Sequence, residues 1–183
     1  MLADLRGMGA TGPPTTPDRS DTLSDSDARE AFLSLHIGRP LLGQRVFDLI
    51  CLLESLQSRE GSPAATGLDV TGIGPAGLAV LHAAALDEKG LMKHVILERT
   101  LISWTDVVER GVNRAQLAGV VPGVLAYFDL PDLAARLHPC PLTIRHPTDA
   151  LGLPVAQAEL EAVYPACLQA YGNRGKLALQ AGP

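Results

Sequence analysis

Between residues 40 and 56, apolar Leu42, Val46, Leu49, Ile50, Leu53 and Leu56 recur at steps of three and four, while Gln44, Arg45, Asp48 and Glu54 take the other side. This is the helical period, and it predicts an amphipathic helix over 40–56. The pattern then shortens. Leu68-Asp69-Val70-Thr71 reads as a strand and runs into the turn Gly72-Ile73-Gly74-Pro75-Ala76-Gly77, after which residues 78–86 form a small, apolar helix suited to close packing on a sheet. Residues 94–97 make a second strand, 104–118 a helix, 142–144 a third strand, 155–170 a helix, and 176–180 a last strand. Strands alternating with helices predict an α/β domain with a mostly parallel sheet covered by helices on both faces.

The stretch before residue 38 differs. Residues 8–27 hold Pro13, Pro14 and Pro17 among many Ser, Thr and Asp, without apolar periodicity, which is a loop composition. Ser26 or Asp27 is placed to cap a short helix running to about residue 35, by accepting from its free first-turn amides. The expected organisation is an N-terminal segment, 1–37, that is largely loop, followed by the α/β body over 38–183.

Composition narrows the function classes. At 46% apolar and 19% charged residues the chain can bury a core. Its net charge of -5, with no block of Lys and Arg, removes the electrostatic footprint for nucleic acid or an anionic membrane. The apolar run over 117–128 is broken by Gly119, Pro122 and Gly123, so no transmembrane helix is expected, and the start of the chain has no signal-peptide pattern. Cys51, Cys140 and Cys167 are far apart and suggest neither a disulfide framework nor a zinc site.

The glycine turn admits two chemistries. Gly72-x-Gly74-x-x-Gly77, with Glu98 ending the next strand about 20 residues later, matches a dinucleotide-binding fingerprint in which the glycines admit a diphosphate and the carboxylate holds a ribose. That reading would make the chain a binder of FAD or NAD(P). The alternative is a nucleophile elbow, G-x-S-x-G, with Gly74 standing where the serine should be. A third reading assigns the glycines only to tight helix-on-strand packing.

Three separated stretches bear on the choice. Asp4-Leu5-Arg6-Gly7, then Gly38-Arg39-Pro40-Leu41-Leu42-Gly43-Gln44-Arg45-Val46-Phe47-Asp48, then Pro122-Gly123-Val124-Leu125, Asp129-Leu130-Pro131-Asp132-Leu133 and Pro141-Leu142-Thr143-Ile144 follow one another in order. Together they resemble the acetyl xylan esterase-like group of the α/β-hydrolases, over nearly the whole chain. The resemblance implies an incomplete α/β-hydrolase fold, here its C-terminal portion, with the first strands and the usual oxyanion-hole loop expected before Met1. It also places the acid of a catalytic triad at Asp149, in His146-Pro147-Thr148-Asp149, and the missing histidine beyond Pro183. A turn-capping aspartate is the plainer alternative for Asp149.

What the family pattern needs and this sequence lacks is a serine at position 74 and a histidine to activate it. Ser103 is the substitute nucleophile left to consider, and no base is paired with it by spacing. His36, His82, His94, His138 and His146 are scattered without a metal-binding spacing. The expectation is a noncatalytic, degenerate or truncated esterase-like domain that calls for no cofactor, with self-association or a missing N-terminal hydrolase half as the expected partner. The enzyme alternative is an active ester hydrolase completed by absent parts.

Overall fold

A computed structural model describes residues 1–12, 28–59, 66–172 and 176–182. The proposed caps Ser26 and Asp27 lie outside the described residues. The elements follow as α1 (Ala28–His36), α2 (Leu41–Gln57), β1 (Leu68–Ile73), α3 (Pro75–Ala85), β2 (Met92–Glu98), α4 (Trp104–Arg110), α5 (Leu130–Arg136), β3 (Leu142–Arg145), α6 (Gln157–Val163), α7 (Pro165–Tyr171) and β4 (Leu177–Gln180). The amphipathic helix is α2, which buries Leu42, Val46, Leu49 and Leu53 along the face the period predicted.

The four strands form one all-parallel sheet in the order β1-β2-β3-β4. This is the parallel α/β sheet implied by the alternation, although the expected helices on both faces are seen, among the described residues, on one. Each crossover steps the same way along the sheet, and right-handed crossovers of one direction put their helices on one face. There α3 packs on β1 and β2, α2 packs on α3, and α5 bridges α3 and α7. Val95, Leu97, Leu142 and Ile144 point into that layer and form the core with Leu78, Leu81, Leu130 and Tyr171.

Alternate strand residues point the other way. Asp69, Thr71 and Ile73 of β1 are exposed, with Ile73 at 49%, and Ile96 is half-buried at the centre of the sheet. Neither Ile73 nor Ile96 joins the apolar core. A helical layer over this second face is not supplied by the described residues, and β1 forms a sheet edge paired only to β2 among them.

Two helices differ from the periodicity. The one expected over 104–118 stops at Arg110, because Gly111 turns left-handed (φ 67) and ends it. The one expected over 155–170 is two helices, broken where Tyr164 leaves helical geometry before Pro165. Helix α5 was not expected, although its capping box is in the sequence. Asp129 accepts from Leu130 N–H while Asp132 accepts from Asp129 N–H, and the same Asp129 carboxylate accepts from Trp104 and Thr105, tying the starts of α4 and α5 together.

Two of the stretches that carry the sequence resemblance meet in space. Leu5 is buried against the core, the Arg6 guanidinium grips Asp48 of α2 with two bonds of 3.0 and 2.8 Å, and Arg45 Nε donates to the Arg6 carbonyl at 2.9 Å. Residues 1–12 are thereby docked onto α2.

Candidate functional site

Strand β1 ends at Ile73 and α3 begins at Pro75, which leaves Gly74 alone to reverse the chain (φ 56, ψ −129). Its N–H donates to the Glu98 carbonyl at 2.8 Å, and its own carbonyl accepts from Gly77 N–H at 3.0 Å. An apex of this kind lifts a nucleophile above the sheet in hydrolase elbows. Here the apex bears only hydrogen. A Cβ built on Gly74 would meet nothing within 4 Å, so the space at the apex is open.

The next residue bears on the same reading. In an elbow, the backbone N–H after the nucleophile is one of the two donors that stabilise the oxyanion. That residue is Pro75, which has no N–H. Reading the motif as G-x-S-x-G passes over this position, because the pattern leaves it unspecified.

Gly72 and Gly77 serve packing. A Cβ on Gly72 would lie 2.6 Å from Gly77 Cα and 2.9 Å from Val80 Cγ2, and a Cβ on Gly77 would run into Thr100 Oγ1. These glycines let α3 lie directly on β1 and β2. Glu98, the carboxylate of the dinucleotide reading, accepts from His146 Nδ1 at 2.8 Å, so it has a local partner at the end of the sheet.

Asp149 is buried and fully engaged. Its Oδ1 accepts from Leu151 and Leu153 N–H at 2.9 and 2.8 Å, and its Oδ2 lies 3.2 Å from Arg110 Nη1. Asp106 supports the same loop through Arg110 and through Ala150 N–H. The structure thus brings Asp149 to Arg110 and its own loop; Thr148, Leu151 and Gly152 of that loop, and not Asp149, line the cavity beside Gly74.

Set against known proteins, no family model matches the chain, and no curated protein matches it. Among solved structures it is similar to the crystal structure of a Bacteroides fragilis protein described as a "putative acetyl xylan esterase", with a TM-score of 0.68 at 14% identity over 97% of this chain. The fold is esterase-like. The chain spans 45% of that protein's length.

Within this esterase-like fold the other candidates have structural duties. Ser103 is buried and caps α4, its Oγ accepting from Asp106 N–H at 2.9 Å. His82 packs on α3 with its ring 5.3 Å from that of Trp104, and Nδ1 donates to the Leu78 carbonyl at 2.7 Å. Burial holds its pKa below the ordinary imidazole value, opposed by that hydrogen bond. Burial also pushes the Cys167 thiol up to about 12 and raises that of Cys140, so neither offers a thiolate at neutral pH. Among the described residues no group of His, Cys, Asp and Glu is arranged to hold a metal, and no helix is long and apolar enough to cross a membrane.

The space beside the Gly74 turn is a cavity of about 380 Å³. Apolar Leu42, Leu78, Leu101 and Leu151 form part of its wall, and Arg45, Arg99 and Arg114 form another part.

Proposed function

We propose that this chain is a noncatalytic, acetyl xylan esterase-like α/β-hydrolase domain whose elbow region serves ligand binding or structure rather than acyl transfer. One observation carries the reading: at the apex, Gly74 supplies no hydroxyl and Pro75 supplies no oxyanion donor. Covalent ester hydrolysis needs both, since the first forms the acyl bond and the second stabilises the charge that develops on the carbonyl oxygen. Asp149, the position of the triad acid by resemblance, acts as the lock of the 149–153 loop.

The test is turnover. Purified protein should hydrolyse p-nitrophenyl acetate no faster than the same preparation after heat denaturation. Sustained turnover that survives purification and is lost on Ser103→Ala would reverse the reading in favour of an active esterase with an unconventional nucleophile.

Among the described residues, the edge of β1 and the second face of the sheet are uncovered, which supports a partner. Either a second copy of this chain or further hydrolase elements complete the sheet there, because unpaired strand edges with apolar side chains recruit other chains.

A further inference from the structure

The cavity beside the elbow is the place where the molecule's charge runs against its overall sign. The chain carries a net charge of -5, yet among the described residues three arginines and no carboxylate line this cavity. Arg45 enters from α2 with a relative exposure of 1%, held by its Nε bond to the Arg6 carbonyl. A guanidinium cannot shed its proton in a protein, so this buried cation is permanent. Arg99 reaches the cavity from just after β2, and Arg114 from the loop after α4. Among the described residues neither guanidinium has a carboxylate within ion-pairing distance or a hydrogen-bond acceptor, unlike Arg6 and Arg110, which are both paired.

The backbone there is also held under constraint. Arg99 (φ 51) and Ala115 (φ 56) both line the cavity in the left-handed region, which costs an L residue on the order of 1–3 kcal/mol and persists where the surroundings fix it. At Arg99 the constraint is visible: its N–H donates to the Arg145 carbonyl at 2.9 Å, fixing the start of its side chain beside Gly74.

We propose that this cavity binds a phosphate monoester of a small organic molecule, with Arg99 and Arg114 gripping the phosphate, Arg45 adding charge from below, and the organic part lying on Leu78, Leu101 and Leu151. Guanidinium forks match phosphate oxygens two at a time, and at neutral pH a monoester carries close to two negative charges, where a simple carboxylate carries one. The apolar wall makes bare inorganic phosphate the poorer ligand. The inference builds on the noncatalytic reading by naming what the altered elbow accommodates, but its test is independent of ester turnover: a failure to bind leaves the absence of hydrolysis standing, and hydrolysis would leave the binding result standing.

Isothermal titration of the whole chain with glucose 6-phosphate, inorganic phosphate, acetate and glucose tests it. The expected result is saturable 1:1 binding of glucose 6-phosphate, weaker binding of inorganic phosphate, and no binding of acetate or glucose up to about 10 mM, beyond the weak end of specific affinity. Arg99→Gln and Arg114→Gln, both at exposed side chains, should each weaken glucose 6-phosphate by roughly tenfold while leaving the unliganded melting temperature unchanged. Arg136→Gln, on α5 and away from the cavity, should leave binding as it is. Absence of saturable glucose 6-phosphate binding, acetate or glucose binding as well as the phosphate ester, or affinity that survives Arg99→Gln and Arg114→Gln would each overturn the proposal.

Discussion

Gly74 is the residue on which the proposed noncatalytic reading turns. Its conformation is strained for an L residue while the space around a built Cβ is open, so Gly74→Ser should fold at a cost of about 1–3 kcal/mol in urea unfolding. It should nevertheless show no ester turnover, because Pro75 still lacks its N–H and none of the five histidines is among the residues lining the cavity. Asp149 gives the opposite case, a residue whose removal matters to stability. Replacing it with Ala takes an acceptor from two loop amides and leaves Arg110 without one of its partners, and should lower the unfolding free energy by about 2–4 kcal/mol. His82 couples the fold to pH. Its folded pKa lies below the unfolded one, so the unfolded chain binds the proton more readily, and this contribution is complete above the unfolded value and lost as pH falls below it. Thermal melts between about pH 7.5 and about pH 5.5 should therefore drop more steeply for the native protein than for His82→Gln.

At the scale of elements, the tight seat of α3 on β1 and β2 depends on Gly72 and Gly77. Gly77→Ala pushes a methyl into Thr100 and should cost about 1–3 kcal/mol, read as a lower urea midpoint. Helix α2 was legible in the sequence because one face of it is buried over four turns, which writes the 3.6-residue period plainly. The core of each strand was legible as well. What periodicity missed is what local caps decide: Gly111 ends α4 early, Pro165 restarts the chain as α7, and Asp129 creates α5 by satisfying amides of two helices at once. The turn was visible as a glycine pattern, and the absence of a side-chain oxygen at its apex followed from the letter at position 74. The loss at Pro75 was equally present in the sequence but acquires meaning only once the turn is known to be an apex. The arginine-lined cavity had no sequence signal, since Arg45 lies on α2, Arg99 just after β2 and Arg114 in the loop after α4, and only the folded chain brings them together.

Among the described residues of the whole molecule, helices cover one face of the sheet, none covers the other, and β1 is an edge strand. Parallel sheets are normally buried on both sides. Sedimentation of the isolated chain should show concentration-dependent association, and Ile73→Lys, which places a charge on the exposed edge strand without emptying the core, should reduce it. A monodisperse monomer at high concentration would count against a partner at this surface. The central proposal is chemical, that an esterase-like fold is present without acyl chemistry at the Gly74 turn. Intact-mass spectrometry after incubation with a fluorophosphonate probe, which labels activated serines covalently, tests it most directly. The account predicts the unmodified mass and no stoichiometric adduct; a single stable adduct mapped to one residue and abolished by its replacement would contradict it.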